Sequence, residues 1–325
     1  MELGRPLLKL PIRFDADTLA AEVRALPQSA WTPHPTGYVG NEAVRLITPG
    51  GEETDDLKGA MGPTEHLLAC PYVTQAMGEI GSVWGRSRLM GLGAGADVPS
   101  HVDSHYYWRT HWRIHIPAIT NPDVLFTCGG ETVHMAAGEC WLFDSFRGHK
   151  VHNGGADQRV HLVLDTVGGG RLRELIDAGR RGVSKAEFVP PATAATRPLS
   201  YERINSPTVM SPWEIRAHVA YIAEHAVPHP LLAPVLKRLD DFASDWAAAW
   251  VEHEAGEDGW PEYLRLLDDL KADLSRSGGA AIQLRNSLRF LLVLDHMVLL
   301  HLFADPDAVT AKAAAVTGSR VKLAS

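Results

Sequence analysis

The chain has 325 residues, 45% hydrophobic and 22% charged, an ordinary balance for one large globular domain or a domain with a helical companion. Its formal net charge is −8 and it has no basic block, which argues against a surface built to coat nucleic acid. Three scattered cysteines, Cys70, Cys128 and Cys140, with no CxxC, read as small buried hydrophobes in a reducing compartment and not as a disulfide framework.

The opening run "MELGRPLLKLPIRFD" is too short in apolar residues for a signal peptide. Residues 14–26, "FDADTLAAEVRAL", have helical spacing, with Leu19, Val23 and Leu26 on one face and Asp15 or Asp17 as caps. From 38 to 60 the chain is polar and Gly-rich, with one strand candidate at "AVRLI", and 64–82 reads as a helix. The texture then changes. "SRLMGLG", "HWRIHIPAI", "DVLFTC", "ETVHM", "GECWLFD", "KVHN" and "RVHLVLD" are short apolar or alternating runs bounded by Gly, Pro, Asn or Asp. They leave no room for crossover helices, so they predict an antiparallel sandwich or barrel.

Beyond "TVGGGRLRELIDAG", residues 186–200 have the Pro and Ala content of a linker or of chain laid over a surface. "SPWEIRAHVAYIAEHA" opens a helix with Ser211 as N-cap, Pro212 at N1 and Glu214 at N3. Helical patterns follow over 231–253, 260–275 and 280–304. The run "LRFLLVLDHMVLLHLF" is interrupted by Arg289, Asp295 and His301, far short of the roughly 20 apolar residues a membrane span needs. It reads as a buried helix, and the protein as cytoplasmic. The domain reading is a β-core domain with N-terminal helices over 1–185, a linker at 186–204 and a helical domain over 205–325.

The chemistry concentrates in "PSHVDSHYYWRTHWRIHIPAI", residues 99–119. His101 and Asp103 are two apart, so on a strand they share a face and can hold two positions of a metal. A third ligand from another strand would complete a facial triad with open positions, as in non-haem Fe(II) oxygenases. In "GECWLFDSFRGHKVHNGGADQRVHLVLD" either His149 or His152 offers that ligand. Arg159, inside an apolar strand, is costly unless its guanidinium meets an anion; without the histidines nearby, an edge-strand arginine in solvent would be the favoured reading. "GLGAGA" fits a dinucleotide fingerprint only formally, because "DVPSHVD" and no helix follows it.

Taken in order, HxD, RxHIP, GExWxFD, HxVxN and R-hL-x-x-D over roughly residues 85–168 resemble the aspartyl/asparaginyl β-hydroxylase family, a branch of the Fe(II)/2-oxoglutarate-dependent dioxygenases. The resemblance implies a mainly β core, a double-stranded β-helix of jelly-roll or cupin-like type. It implies His149, not His152, as the distal iron ligand with His101 and Asp103. It also implies Arg159 on the far carboxylate of 2-oxoglutarate, with Arg113 and His115 lining that pocket. Some members have glycine at the carboxylate position; Asp103 places this chain with the full-triad members. The implied cofactors are Fe(II), 2-oxoglutarate and O2. The implied reaction is hydroxylation of an unactivated C–H of an amino acid or amino-acid-derived small molecule, with succinate and CO2 as co-products. A peptide or protein hydroxylase and a non-catalytic cupin-like metal binder are the alternatives, and a homodimer is left open.

For the remaining groups, strand alternation turns His152 away from the side of His149 and puts His161 on the face of Arg159. His105 and His111 are unassigned, with a partly exposed surface histidine favoured over a substrate contact for each, and His134 reads as structural. Tyr106, Tyr107 and Trp108 are either a substrate lid or packing.

Overall fold

The computed structural model describes residues 3–192 and 197–304. Residues 305–325, the end of the expected helical domain, lie outside the described residues. The described chain divides into two units, each with its own core: residues 3–103 with 107–205, and residues 104–106 with 206–304.

The first unit opens with β1 (Leu7–Phe14), α1 (Ala16–Ala25), β2 (Thr32–Pro33), β3 (Asn41–Pro49), β4 (Met61–Pro63), α2 (Glu65–Leu68) and α3 (Pro71–Ile80). Then come β5 (Val83–Leu92), β6 (Asp97–His101), α4 (Tyr106–Thr110), β7 (Trp112–Ile119), β8 (Val124–Cys128), β9 (Glu131–Val133), β10 (Glu139–Phe143), β11 (His149–Asn153) and β12 (Arg159–Gly168). It closes with α5 (Gly170–Arg180), β13 (Glu187–Val189) and β14 (Ser200–Tyr201). The strands form a large sheet in the order β13-β1-β10-β7-β12-β5-β3-β2 and a smaller one in the order β6-β11-β8-β9. From β5 to β12 the chain crosses between the sheets at each step except from β8 to β9, which stay together in the smaller one, and every pairing among these strands is antiparallel. That winding is a double-stranded β-helix, the jelly-roll core.

Side-chain alternation decides what each face of the large sheet does. On β12, Val160, Leu162 and Leu164 point outward into a core shared with Leu19 and Val23 of α1, Val73, Ala76 and Met77 of α3, and Leu172 and Leu175 of α5. At about 1.5–3 kcal/mol for each fully buried aliphatic side chain, this layer makes the sheet a rigid platform. Arg159 and Val163, at the alternate positions, face the interior between the sheets. There a second, smaller core of Leu92, Phe126, Phe143 and Val151 fills one part of the space and leaves the rest for chemistry.

Three local outcomes differ from the sequence expectation. Residues 7–14 form a strand, β1, which pairs β10 through Leu7↔Phe143 to Leu10↔Cys140; Pro11 then sits at a register shift where no ladder donor is required. The helix expected over 64–82 is broken into α2 and α3, with Pro71 at the start of the second. Within the stretch expected as a linker, β13 pairs parallel to β1 and β14 parallel to β5.

The second unit contains α6 (Pro212–Glu224), α7 (Leu232–Glu252), α8 (Trp260–Arg276) and α9 (Phe290–Met297). Ser211 caps α6, its hydroxyl accepting from the Glu214 amide at 3.2 Å. Trp246 of α7 is fully buried against Phe242 and Tyr263, and its indole N–H donates to the Met210 carbonyl at 2.9 Å. The pattern over 280–304 yields only the short α9, because Leu284 donates to Leu288 across a turn in which Ser287 takes a φ of 71°. Residues Ser104–Tyr106 group with these helices. The Tyr106 hydroxyl donates to Glu214 at 2.7 Å and the His105 ring stands edge-on to His301. No helix among the described residues is long and apolar enough to cross a membrane.

Candidate metal centre and anion pocket

β6 and β11 are hydrogen-bonded neighbours, with His149 opposite His101. Alternation on β11 buries His149, Val151 and Asn153 and exposes Lys150 and His152. His152 accordingly lies outside, bonded to Asp97 at 2.8 Å. His101, Asp103 and His149 each bring one ligand atom to within 4.8 Å of the other two. Asp103 stands 4.0 Å from the Nε2 of either histidine.

The donor set fits a first-row metal. Nδ1 of His101 is 2.8 Å from the Pro99 carbonyl, and Nδ1 of His149 is 2.9 Å from the Arg147 carbonyl. A ring that gives its Nδ1 proton to a carbonyl presents a bare Nε2 lone pair, the state in which imidazole ligates metals. Burial keeps the His149 ring neutral, pulling its pKa down to about 4. Two nitrogens and one carboxylate from a single side of the pocket leave the remaining coordination positions open to other ligands.

These three residues line one wall of a cavity of about 490 Å³ between the sheets. Arg159, on the floor, is 4% exposed. Its Nε has no hydrogen-bond partner, and Nη1 reaches the Met90 carbonyl only at 3.4 Å. Burial without a counter-charge pulls its pKa down to about 9, still a cation at neutral pH. Such a group is stable only if an anion completes it.

Arg113, expected to line the co-substrate pocket, lines this cavity and is held there by two carboxylates. It donates from Nη1 to Asp103 Oδ2 at 2.9 Å and from Nε to Asp165 Oδ1 at 2.9 Å. With both edges on carboxylates it grips the acid that faces the two histidines. His115 is buried among Phe126, Phe143 and His161, its Nδ1 3.5 Å from that of His161. Burial first, and then Arg159, hold both rings neutral. His111 departs from the surface reading: it is 6% exposed, stacks on Tyr107 and bonds Glu202 through Nε2 at 2.6 Å. Trp108 faces the cavity, with the Arg113 guanidinium 3.8 Å from its ring centre, whereas Tyr107 is buried packing.

Sequence reasoning missed three residues of this cavity. Arg88 lies in the run "SRLMGLG", read as an apolar or alternating strand, and Arg86 stands just before it, yet the two repeat the i, i+2 spacing that drew attention to His101 and Asp103. Asp55 comes from the polar loop after β3 and gave no sequence signal.

Residues 56–168 match the aspartyl/asparaginyl beta-hydroxylase family. The matched segment of this hydroxylase family runs from the loop before β4 to the end of β12 and contains the three ligand candidates and Arg159. No curated protein matches the chain. Several solved structures are similar over part of it. A Pseudomonas putida prolyl-4-hydroxylase is 16% identical, with 50% of this chain and 94% of that one covered at a TM-score of 0.35. A 2OG-Fe(II) oxygenase family oxidoreductase from Burkholderia pseudomallei is 14% identical, with 46% and 78% covered at a TM-score of 0.32. A cupin 2 conserved barrel domain protein from Salinispora arenicola is 12% identical, with 47% and 94% covered at a TM-score of 0.27.

Proposed function

We propose that this chain is an Fe(II)/2-oxoglutarate-dependent dioxygenase that hydroxylates an unactivated C–H of an amino acid or amino-acid-derived small molecule. The observation that carries the reading is one cavity holding both a two-histidine, one-carboxylate cluster and Arg159, a buried guanidinium without an anion. A protein that only bound metal would have no use for the second feature.

His101, Asp103 and His149 would hold the iron, which when bound supplies the oxygen chemistry that no side chain can perform. Arg159 would take the far carboxylate of 2-oxoglutarate in its fork and so fix the co-substrate's register toward the metal. Arg113 holds Asp103 in place, and Asp165 in turn holds Arg113. Phe126, Phe143 and Val151 exclude water from the wall around His149.

The test is turnover. Full-length protein with iron, 2-oxoglutarate and a panel of free and N-acylated amino acids is expected to release succinate, with a hydroxylated product of 16 added mass units. Succinate release that persists at wild-type level in His149→Ala would sink the metal assignment. If no succinate appears with any substrate while 2-oxoglutarate still binds, the dioxygenase reading fails.

A further inference from the structure

The cavity holds more positive charge than its own carboxylates neutralise. Arg86 and Arg88 leave β5 two residues apart, so both side chains reach the inner face, where they line the same cavity as the ligand candidates. They are 8% and 7% exposed. Asp55 is an acid beside them, but both its oxygens face the fork of Arg45, 3.2 Å from Nε and 2.5 Å from Nη2. Arg88 is left with a 3.9 Å approach to Asp55. Arg86 reaches only the Asp55 backbone carbonyl at 3.4 Å, and its Nε has no partner.

Other described groups relieve this only in part. Arg88 sits directly opposite Arg45 in the pairing of β5 with β3, a like-charged juxtaposition that weakens a sheet. Arg86 lies over the Trp108 ring, its guanidinium 5.1 Å from the centre, with Arg113 on the same ring. Asp103 and Asp165 are taken by Arg113. Burial lowers the pKa of both arginines, that of Arg88 to about 9, which leaves Arg88 a cation at neutral pH.

We propose that Arg86 and Arg88 form a second anion subsite, which binds a carboxylate of the substrate and makes the substrate a carboxylic acid. The proposal rests on the reading of Arg159 as the co-substrate's anchor, because that assignment leaves this pair for a different anion. Arg88 keeps a partial hold on Asp55, so the pair calls for about one negative charge. A carboxylate meets that demand, and a phosphoryl group of roughly −1.5 to −2 overshoots it. The planar forks match two carboxylate oxygens, which a single ammonium could not do.

The experiment uses the full chain with Zn(II) in place of iron and saturating 2-oxoglutarate, so that binding is read without turnover. Free and N-acetylated amino acids are titrated by thermal shift, each against its carboxamide. Acids are expected to bind and amides to fail. Arg86→Gln and Arg88→Gln should each weaken the acid about ten-fold while 2-oxoglutarate still binds. Arg88→Lys, which keeps charge but loses the fork, should also weaken it. Melting of the metal-free Arg86→Met and Arg88→Met chains separates this role from a structural one. Buried cations lacking a counter-ion should give an unchanged or raised Tm when removed, whereas structural arginines would give a lower one. Amides binding as well as acids, no acid binding at all, preferential capture of inorganic phosphate, or a lower Tm in both Met variants would each overturn the proposal. Failure of 2-oxoglutarate to bind, or binding indifferent to Arg159→Gln, would strike the dioxygenase reading instead. The acid–amide comparison would still report on Arg86 and Arg88.

Discussion

Arg113 meets Asp103 through one hydrogen bond, Nη1 to Oδ2 at 2.9 Å, and is itself gripped from Nε by Asp165 at 2.9 Å. The carboxylate that faces the two histidines is therefore aimed by a relay of charges that begins two strands away. Breaking the far link should be felt at the metal. Asp165→Asn is expected to weaken metal binding about 10–100-fold, as loss of an outer partner does at other metal sites. Competitive titration with a metal indicator measures it. An unchanged affinity would mean that Asp103 needs no such support.

Arg159 has a different signature. Arg159→Lys should weaken 2-oxoglutarate about 10-fold or more, since one ammonium cannot reproduce two parallel bonds. Metal affinity should stay as in the wild type. Isothermal titration of the Zn(II)-loaded chain gives both values, and equal loss of metal and co-substrate would point to collapse of the pocket.

His115 and His161 make the metal-free protein acid-sensitive. Burial and then Arg159 depress both pKa values well below the ordinary histidine value near 6.5. Below that value the unfolded chain binds protons that the folded chain refuses. Stability is therefore full at neutral pH and falls as the medium is acidified through the histidine range. The melting temperature followed from about pH 8 to about pH 5 should decline, and His161→Asn should flatten the decline. A profile unaltered by that substitution would place the sensitivity elsewhere.

The buried pair His111–Glu202 joins the stretch after β14 to the end of α4 at 2.6 Å. Glu202→Ala should cost about 3–5 kcal/mol, because it strands a buried partner. Denaturant melts check the magnitude. A loss under about 1 kcal/mol would show that water replaces the carboxylate without difficulty.

What the sequence disclosed follows from period and spacing. The strands of the barrel are legible because each is short, apolar and bounded by turn residues. His101 and Asp103 do converge, but not by the strand repeat, because β6 ends at His101 and Asp103 lies beyond it, its backbone N–H donating to the Ser145 carbonyl. β1 was hidden by Pro11, which interrupts "LLKLPIRF" and is tolerated only because a register shift falls there. His111 looked like a surface residue because its partner Glu202 lies 91 positions away, a distance that no local pattern encodes. The RxHIP resemblance points Arg113 to the co-substrate pocket, but its pairing with Asp165, 52 positions away, has no local sequence signal. Arg86 and Arg88 were overlooked because alternation was weighed there only for apolar residues.

Both candidate ligand histidines are steered by the peptide carbonyl two residues before them, from Pro99 and from Arg147. The steering group belongs to the backbone, so it survives whatever side chain occupies either position. The aim of the two imidazoles is thus inherited from the path of the strands, and mutational drift at positions 99 and 147 has no chemistry there to erase. Such a centre can be carried into very different surroundings as long as the two strands stay paired. The cavity walls, from Arg86 to Arg159, are then free to diversify without disturbing that aim.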